Sequence, residues 1–487
     1  MSLPTRRWPE LPTALLSAAL TLFAVCVPVE AQRQQPQPQT PKRTVREVRT
    51  PDGGRFLLIR DPQLRQIHWA LASWTDGRDD PTGLPGLTAA TARASLSGTW
   101  STGSSDPVAE RAALDALDVA WQTRMANQGN PAVEAALLQR DRDAAALCDP
   151  RAFVRVLAAA PAHRPEIVDR DGVAVFSLTT VEPALGEVAR LIFERREQQT
   201  LRGLARTWLP ALLDRARDFS LHPERRVQAE LLALTTPSSP RIALLETPPM
   251  LAPKRAQAMA CWGASQHPRN TVHVIYGGFD LDGASEMLAA TFADTSLPTP
   301  PARSRAVNRR LQSQRRSVVP GNLPNSVSLA WILPRDASPH AVAVAARWLT
   351  NDRNGHLRRK LRRKRPQLQI RAVGPWPSGA ATPLLRIDAT DPQGTTDLVE
   401  DLLAACRETA AEELKDGQYW NANVLTVAEW HAATDEARAL AALLAERALK
   451  SPNSPTAPTA PKTVKGEEIR RILRTTFAGQ AAIVEGS

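Results

Sequence analysis

Apolar positions along the chain alternate between the two-residue period of a strand and the longer period of an amphipathic helix. Arg55 to Arg60 and Gln66 to Trp74 are short apolar runs split by the turn signal Asp61-Pro62, and they predict two strands. A helical stretch follows Gly83. The helical period then recurs over Val108 to Gln128, Ala132 to Ala146, Glu182 to Gln198, His222 to Leu234 and Pro253 to Ala264. Val173 to Thr180 and Thr271 to Tyr276 read as further strands. After residue 320 the pattern restarts with a strand at Ser326 to Leu333, a turn at Pro334-Arg335-Asp336 and a helix at Pro339 to Leu349. Strands at Gln367 to Val373 and Thr382 to Ile387 follow, then long helices at Thr395 to Leu414 and Val424 to Leu449. Mixed elements in this order predict an α+β fold of packed sheet and helix layers, and the strand-turn-helix restart makes a duplicated half plausible.

Three stretches lack either period. Residues 32 to 47 are Pro/Gln-rich and predict a tether, 298 to 320 are Pro/Arg-rich and predict a linker, and 450 to 463 repeat Pro, Ser and Thr. The expected organisation is therefore two related sheet-plus-helix domains, 48–297 and 321–487. Residues 1 to 31 carry Arg6 and Arg7, an apolar run from Ala14 to Val29, and the small-residue site Val29-Glu30-Ala31, the pattern of a secretory signal peptide cut after Ala31. The alternative is an uncleaved anchor. Cys26 sits in a poor lipobox. A bacterial periplasm or outer envelope is the expected location, with no stable membrane span after cleavage.

Composition narrows the function. With 41 Pro and 24 Gly among 487 residues the chain is too often broken for a coiled coil. The net charge of +11 invites a search for polyanion binding. Its basic runs, Arg303 to Arg316 and residues 353 to 365, have no interleaved aromatic for base stacking, so no nucleic-acid partner is expected. Leu357 and Leu361 mark the second run as an amphipathic helix with a solvated cationic face, able to dock an acidic partner. Cys148, Cys261 and Cys406 have no CxxC spacing and read as buried thiols. Eight histidines are present, yet no pair stands at the i, i+4 spacing of a helical metal site. His267 and His273 read as structural. GxSxG, SxxK, Walker and dinucleotide motifs are absent.

The segment Gly86-Leu87-Thr88-Ala89-Ala90-Thr91-Ala92-Arg93-Ala94-Ser95-Leu96-Ser97-Gly98-Thr99, about 30 residues after the first strand, resembles the active-site helix (86–99) of the insulinase/pitrilysin-type zinc peptidases, the inverzincins. Asp52 to Ile59, Trp69 to Asp80 and Thr271 to Asp282 are similar to that family's strands and acidic turns. Leu323 to Leu333 and Gly355 to Lys364 are similar to its second-domain strand and its Leu-Arg-x-Lys segment. The resemblance implies two insulinase/processing-peptidase-type domains and, in active members, an H-x-x-E-H motif in which two His bind zinc and Glu activates water. Here those five positions are Ala89, Ala90, Thr91, Ala92 and Arg93: no imidazole, no base, and a cation where a dication should sit. The family's third ligand falls near Asp214, at best a vestige, so no zinc or other cofactor is expected. His356 takes the place of a substrate-binding Arg, with Arg358 and Arg362 beside it, and Gln369 falls near the usual Tyr.

The resemblance therefore implies an inactive homologue that serves as partner subunit of an active zinc peptidase, or as a homodimer, and binds peptide or unfolded protein. Two alternatives stand: a weakly active stand-alone peptidase with a site rebuilt from Asp214, His68 or other residues, and an envelope scaffold.

Overall fold

The computed structural model describes residues 43–486 apart from 76–78, 171, 236–251, 301–310, 320–324, 335, 351–354, 377–382, 415–416 and 451–462, and not the side chains of Arg170 and 214–221. The leader and most of the tether lie outside the described residues. Among the described residues no helix is long and apolar enough to cross a membrane.

Eleven strands run β1 (Thr44–Arg49), β2 (Arg55–Arg60), β3 (Ile67–Trp74), β4 (His163–Arg170), β5 (Val173–Thr180), β6 (Thr271–Gly277), β7 (Arg315–Val319), β8 (Ser326–Ile332), β9 (Gln369–Trp376), β10 (Leu384–Thr390) and β11 (Ala482–Gly486) among the described residues. They form two sheets, ordered β1-β2-β6-β3-β5-β4 and β7-β11-β8-β10-β9. Beyond the extra edge strand β1, the second order repeats the first. The directions repeat as well: β2 runs parallel to β6 as β7 does to β11, and every other corresponding pair is antiparallel. The restart read from the sequence is thus a structural duplication, and the mixed α+β architecture is as expected.

Central strands are apolar at nearly every position because both faces are covered. In β2, Phe56 and Leu58 face one layer and Leu57 and Ile59 the other. The first layer holds the helices Ala152–Ala159, Leu185–Glu197 and Leu281–Thr291. The opposite face is covered by the helix Ala437–Lys450 from the other half of the chain, through Leu440, Leu444 and Leu449. The second sheet repeats this arrangement. One face packs on the helices Pro339–Thr350, Leu398–Ala411 and Gly466–Phe477. The other receives Val227, Leu231 and Leu234 of the helix Pro223–Thr235, contributed by the first half. Each half lends one helix to the other's sheet, and each fully buried leucine there contributes about 2 kcal/mol.

Several expectations change. Val424 to Leu449 is two helices, Trp420–Thr434 and Ala437–Lys450. Neither Gly nor Pro marks the break. It comes where the chain exchanges one packing partner, the helix Pro339–Thr350, for the first sheet. β1 begins within the segment read as tether, 32–47, and runs past its end: its side chains are mostly exposed, so pairing with β2 stabilises it without an apolar signature. β7 likewise lies within 298–320, holding its place by parallel pairing with β11.

Candidate functional site

The helix Leu87–Ala94 is the segment that resembles the family's active-site helix. It starts because Asp80, just after β3, turns its carboxylate onto the helix N-terminus and accepts from Gly86 N (2.6 Å), Thr88 N (2.7 Å) and Thr88 Oγ1 (2.6 Å). An acid is favoured there by the helix dipole. Gly86 sits at φ 77, a left-handed conformation that a side chain would strain. The inward face, Leu87, Ala90 and Ala94, packs on Leu204, Trp208 and Leu212 of the helix Leu204–Leu221 and on Ala258, Cys261 and Trp262 of the helix Arg255–Gln266.

The far end is held by polar groups distant in sequence. Ser95 Oγ donates to Ala92 O (2.5 Å) and accepts from Arg195 Nε (3.0 Å) and Nη2 (2.5 Å). Arg195 is wholly buried over the rings of Phe176 (4.7 Å) and Trp262 (5.0 Å), and burial lowers its pKa to about 9. Gln199 Nε2 donates to Ser95 O (3.1 Å). Arg202 reaches Ser97 O and Thr102 O (both 3.1 Å), Thr99 O (2.9 Å) and the buried Glu110, whose Oε2 accepts from Nη2 at 2.9 Å. Glu194 accepts from Thr102 Oγ1 (2.6 Å) and from Thr99. Burial opposes its ionisation, but the hydroxyls of Ser101, Thr102 and Thr99, with Arg190, hold its pKa below the usual glutamate value. None of these partners was legible in the sequence. Ser95 and Arg195 stand 100 residues apart, and no local pattern links them.

On this firmly held helix, Ala89 and Ala92 are buried and Arg93 is exposed, without an ion-pair partner among the described residues. Ala89 and Arg93 share one helix face, the spacing that lets two imidazoles hold one metal. A methyl and a guanidinium can do neither that nor activate water. Asp214 lies in the helix packed against this one, at a position whose side chain is outside the described residues. Among the described residues no group of three or more His, Cys, Asp or Glu could hold a metal. Ala89, Ala92 and Arg93 themselves supply no zinc ligand. His68 is elsewhere: it shares a face of β3 with Ala70 and Ala72, under the helix Ala437–Lys450, with Nδ1 3.0 Å from Thr179 Oγ1 and its pKa lowered by burial. His267 Nδ1 accepts from Arg269 N (3.2 Å), and the buried His273 Nδ1 accepts from Trp69 Nε1 (3.2 Å).

In the second half His356 opens the helix His356–Leu361, stacks on Trp348 (4.5 Å) and lies 2.7 Å from Glu412. Burial holds its pKa below the usual value despite Glu412. Arg358, Arg362 and Gln369 are exposed. Leu357 and Leu361 are buried as expected, Arg358, Arg359, Arg362 and Arg363 are exposed, and three of the cations are paired. Lys360 meets Glu412 and Glu408 (3.2 Å), Lys364 meets Asp401 (2.5 Å), and Arg365 is enclosed by Asp391 (2.6 Å) and Asp401 (2.8 Å). Of the other basic run, Arg303 to Arg310 lie outside the described residues, Arg315 donates to Leu234 O (2.9 Å) and Arg316 pairs with Glu485.

Two duplicated sheets, each covered by helices on both faces, define the class: the fold is that of the insulinase/pitrilysin-type, or M16, peptidases. Solved structures with this fold include a peptidase M16 inactive domain from Pseudomonas fluorescens (14% identity, 91% of this chain and 98% of that one, TM-score 0.61). A protease from Helicobacter pylori is also similar (11%, 91% and 100%, 0.56), as is the periplasmic protease PqqL from Escherichia coli (11%, 91% and 47%, 0.58). The chain spans about half the length of PqqL. No family model and no curated protein matches the sequence.

Proposed function

We propose that the chain is a non-catalytic member of the insulinase/pitrilysin group, exported to the periplasm or outer envelope, that acts as the partner subunit of an active zinc peptidase and contributes walls and contacts for peptide or unfolded protein. One observation carries the reading: the helix Leu87–Ala94 has an acid cap and a buried Ser95–Arg195 clamp while positions 89, 92 and 93 offer neither ligand nor base. A helix so held, at the cost of burying charge, is useful as structure even when its chemistry is gone. A peptidase among the similar structures is periplasmic, in keeping with the leader-like first 31 residues. Exposed Arg358 and Arg362, beside His356, are the second-half contacts this reading assigns to substrate.

The test is co-purification with a co-encoded homologue bearing an intact H-x-x-E-H motif. A stable complex whose peptidase activity needs both chains is expected. A chain that stays monomeric beside every such homologue defeats the subunit reading. Metal analysis separates the stand-alone alternative: stoichiometric zinc, removed by a chelator together with proteolysis, would overturn the proposal. A second copy in place of the homologue would appear as a homodimer by light scattering.

A further inference from the structure

The helices Pro107–Ala126 and Pro131–Ala146 form a hairpin with no counterpart in the duplicated half: between Pro339–Thr350 and β9 only the short helix His356–Leu361 intervenes among the described residues. The repeat therefore folds without such an element, yet here it is lashed down by the buried Glu110–Arg202 pair and by Asp141 to Arg206, and it meets the helix Arg255–Gln266 through Asp115 and Asp118. Between hairpin and helix opens a cleft of about 540 Å³.

Trp100 lies in that cleft, with the Arg111 guanidinium 4.9 Å and the Arg255 guanidinium 5.7 Å from its ring centroid. The charges around it are unequally satisfied. Arg255 is neutralised by Asp115, and Asp118 is tied to Arg255 N (2.7 Å), with burial pushing its pKa up. Arg111 and Lys254 are exposed at the rim and have no carboxylate partner among the described residues. Beside them Val119, 66% exposed, also lines a second groove of about 470 Å³ between the two hairpin helices, walled by Ala116, Ala120, Val133 and Ala136. Small side chains there admit close approach of another backbone.

We propose that cleft and groove form one peptide-binding track, for a segment that carries a carboxylate beside apolar residues: the carboxylate lies between Arg111 and Lys254 and the apolar side chains run past Val119 along the hairpin. Unpaired cations next to an aromatic and an apolar ledge recognise this combination, and a basic segment would be repelled. The proposal rests on the peptide-binding reading above and gives it a location and a sequence preference.

Fluorescence anisotropy of the full mature chain with fluorescein-labelled peptides of equal length, in which Glu alternates with Leu and Ala or is replaced by Lys or Ser, tests it. The Glu peptide is expected to bind about tenfold more tightly than the Lys peptide, the difference made by charged hydrogen bonds. Arg111→Glu with Lys254→Glu should reverse that preference, and Val119→Glu should weaken the Glu peptide severalfold. All three positions are exposed, and unchanged circular dichroism confirms folding. If the Glu peptide binds the double variant as tightly as it binds the parent, the track is wrong while the peptide-binding function stands. If the folded chain binds none of the peptides, both fall.

Discussion

The helices that follow the equivalent strands β3 and β8 have opposite surroundings. Pro339–Thr350 sits in an apolar core among Trp331, Leu402 and Ile472, and Lys360 and Lys364 of its half pair with the helix Leu398–Ala411 at the rim. Leu87–Ala94 is bordered instead by buried charge: Arg195, with no carboxylate partner among the described residues, Arg202 with Glu110, and Glu194 under three hydroxyls. Burying charge is costly, and apolar side chains of similar size often serve stability as well. The helix Pro339–Thr350 does without such a polar framework, although its half also buries one ion pair, Arg365 with Asp391. The concentration of buried charge around the degenerate helix shows a segment held in one geometry, a stronger demand than being packed.

The sharpest way to break that comparison is Glu110→Ala, which leaves Arg202 buried without its partner and should cost about 3–5 kcal/mol in denaturant unfolding. Lys364→Ala, at the solvated rim of the second half, should cost at most about 1 kcal/mol, because Lys364 is exposed and Asp401 keeps Arg365. Equal losses would remove the distinction between a buried and a rim network. The exchanged helices test the opposite point, the likeness of the halves. Leu231→Ala and Leu444→Ala should each cost about 3 kcal/mol and leave a single cooperative transition, since each leucine ties one half to the other's sheet. Two separated transitions would mean that the halves unfold independently.

Acid is the next lever. Burial, then the nearby Arg196 and Arg195, hold the His273 pKa well below its ordinary value. It stays neutral in the folded chain while the unfolded chain takes up a proton near pH 6.5, so the unfolded state binds more protons and stability falls as pH drops below that value. The slope from this one group reaches at most about 1.4 kcal/mol per pH unit, and His273→Phe should flatten it in thermal melts across pH 5 to 7. A slope unchanged by the substitution would place the acid sensitivity elsewhere. The smallest effect is chemical. Burial pushes Cys261 up to about 11 and Cys406 higher still, so at pH 8 a thiol reagent should modify half-buried Cys148 first and leave the other two until the chain is denatured. Rapid labelling of Cys261 in the native chain would show that the packing around Leu87–Ala94 opens.

Much of the fold was legible where burial imposes a period. β2, β3, β5, β6 and β8 fall within a residue or two of their apolar runs, because strands covered on both faces carry little else. Edge strands β1 and β7 are hard to read from the sequence because hydrogen bonding to a neighbour stabilises them with little apolar burial, Val48 and Val319 being their contributions to the cores. The helix Gly466–Phe477 was also missed, although its apolar positions Ile469, Ile472, Leu473 and Phe477 keep the helical period. At the site, the missing ligands could be read directly, since residue identity at 89, 92 and 93 needs no coordinates. The clamp that holds those positions could not, because Ser95, Glu110, Arg195 and Arg202 meet only when the chain is folded.

The sequence by itself thus determined the central strands and most of the helices, and which residues stand at positions 89, 92 and 93, both being local properties of residue type and spacing. Partner choice belonged to the tertiary structure alone. Nothing within Val424 to Leu449 announces that the chain breaks at Asp435 and Glu436 and crosses to the other sheet, and nothing in residues 353 to 365 reveals that Lys360, Lys364 and Arg365 spend their charge on acids of a later helix. The physical reason is the range of the interactions. Periodicity records that a side chain is buried, whereas the surface that buries it, and the carboxylate that meets it, are set by contacts between segments tens to hundreds of residues apart.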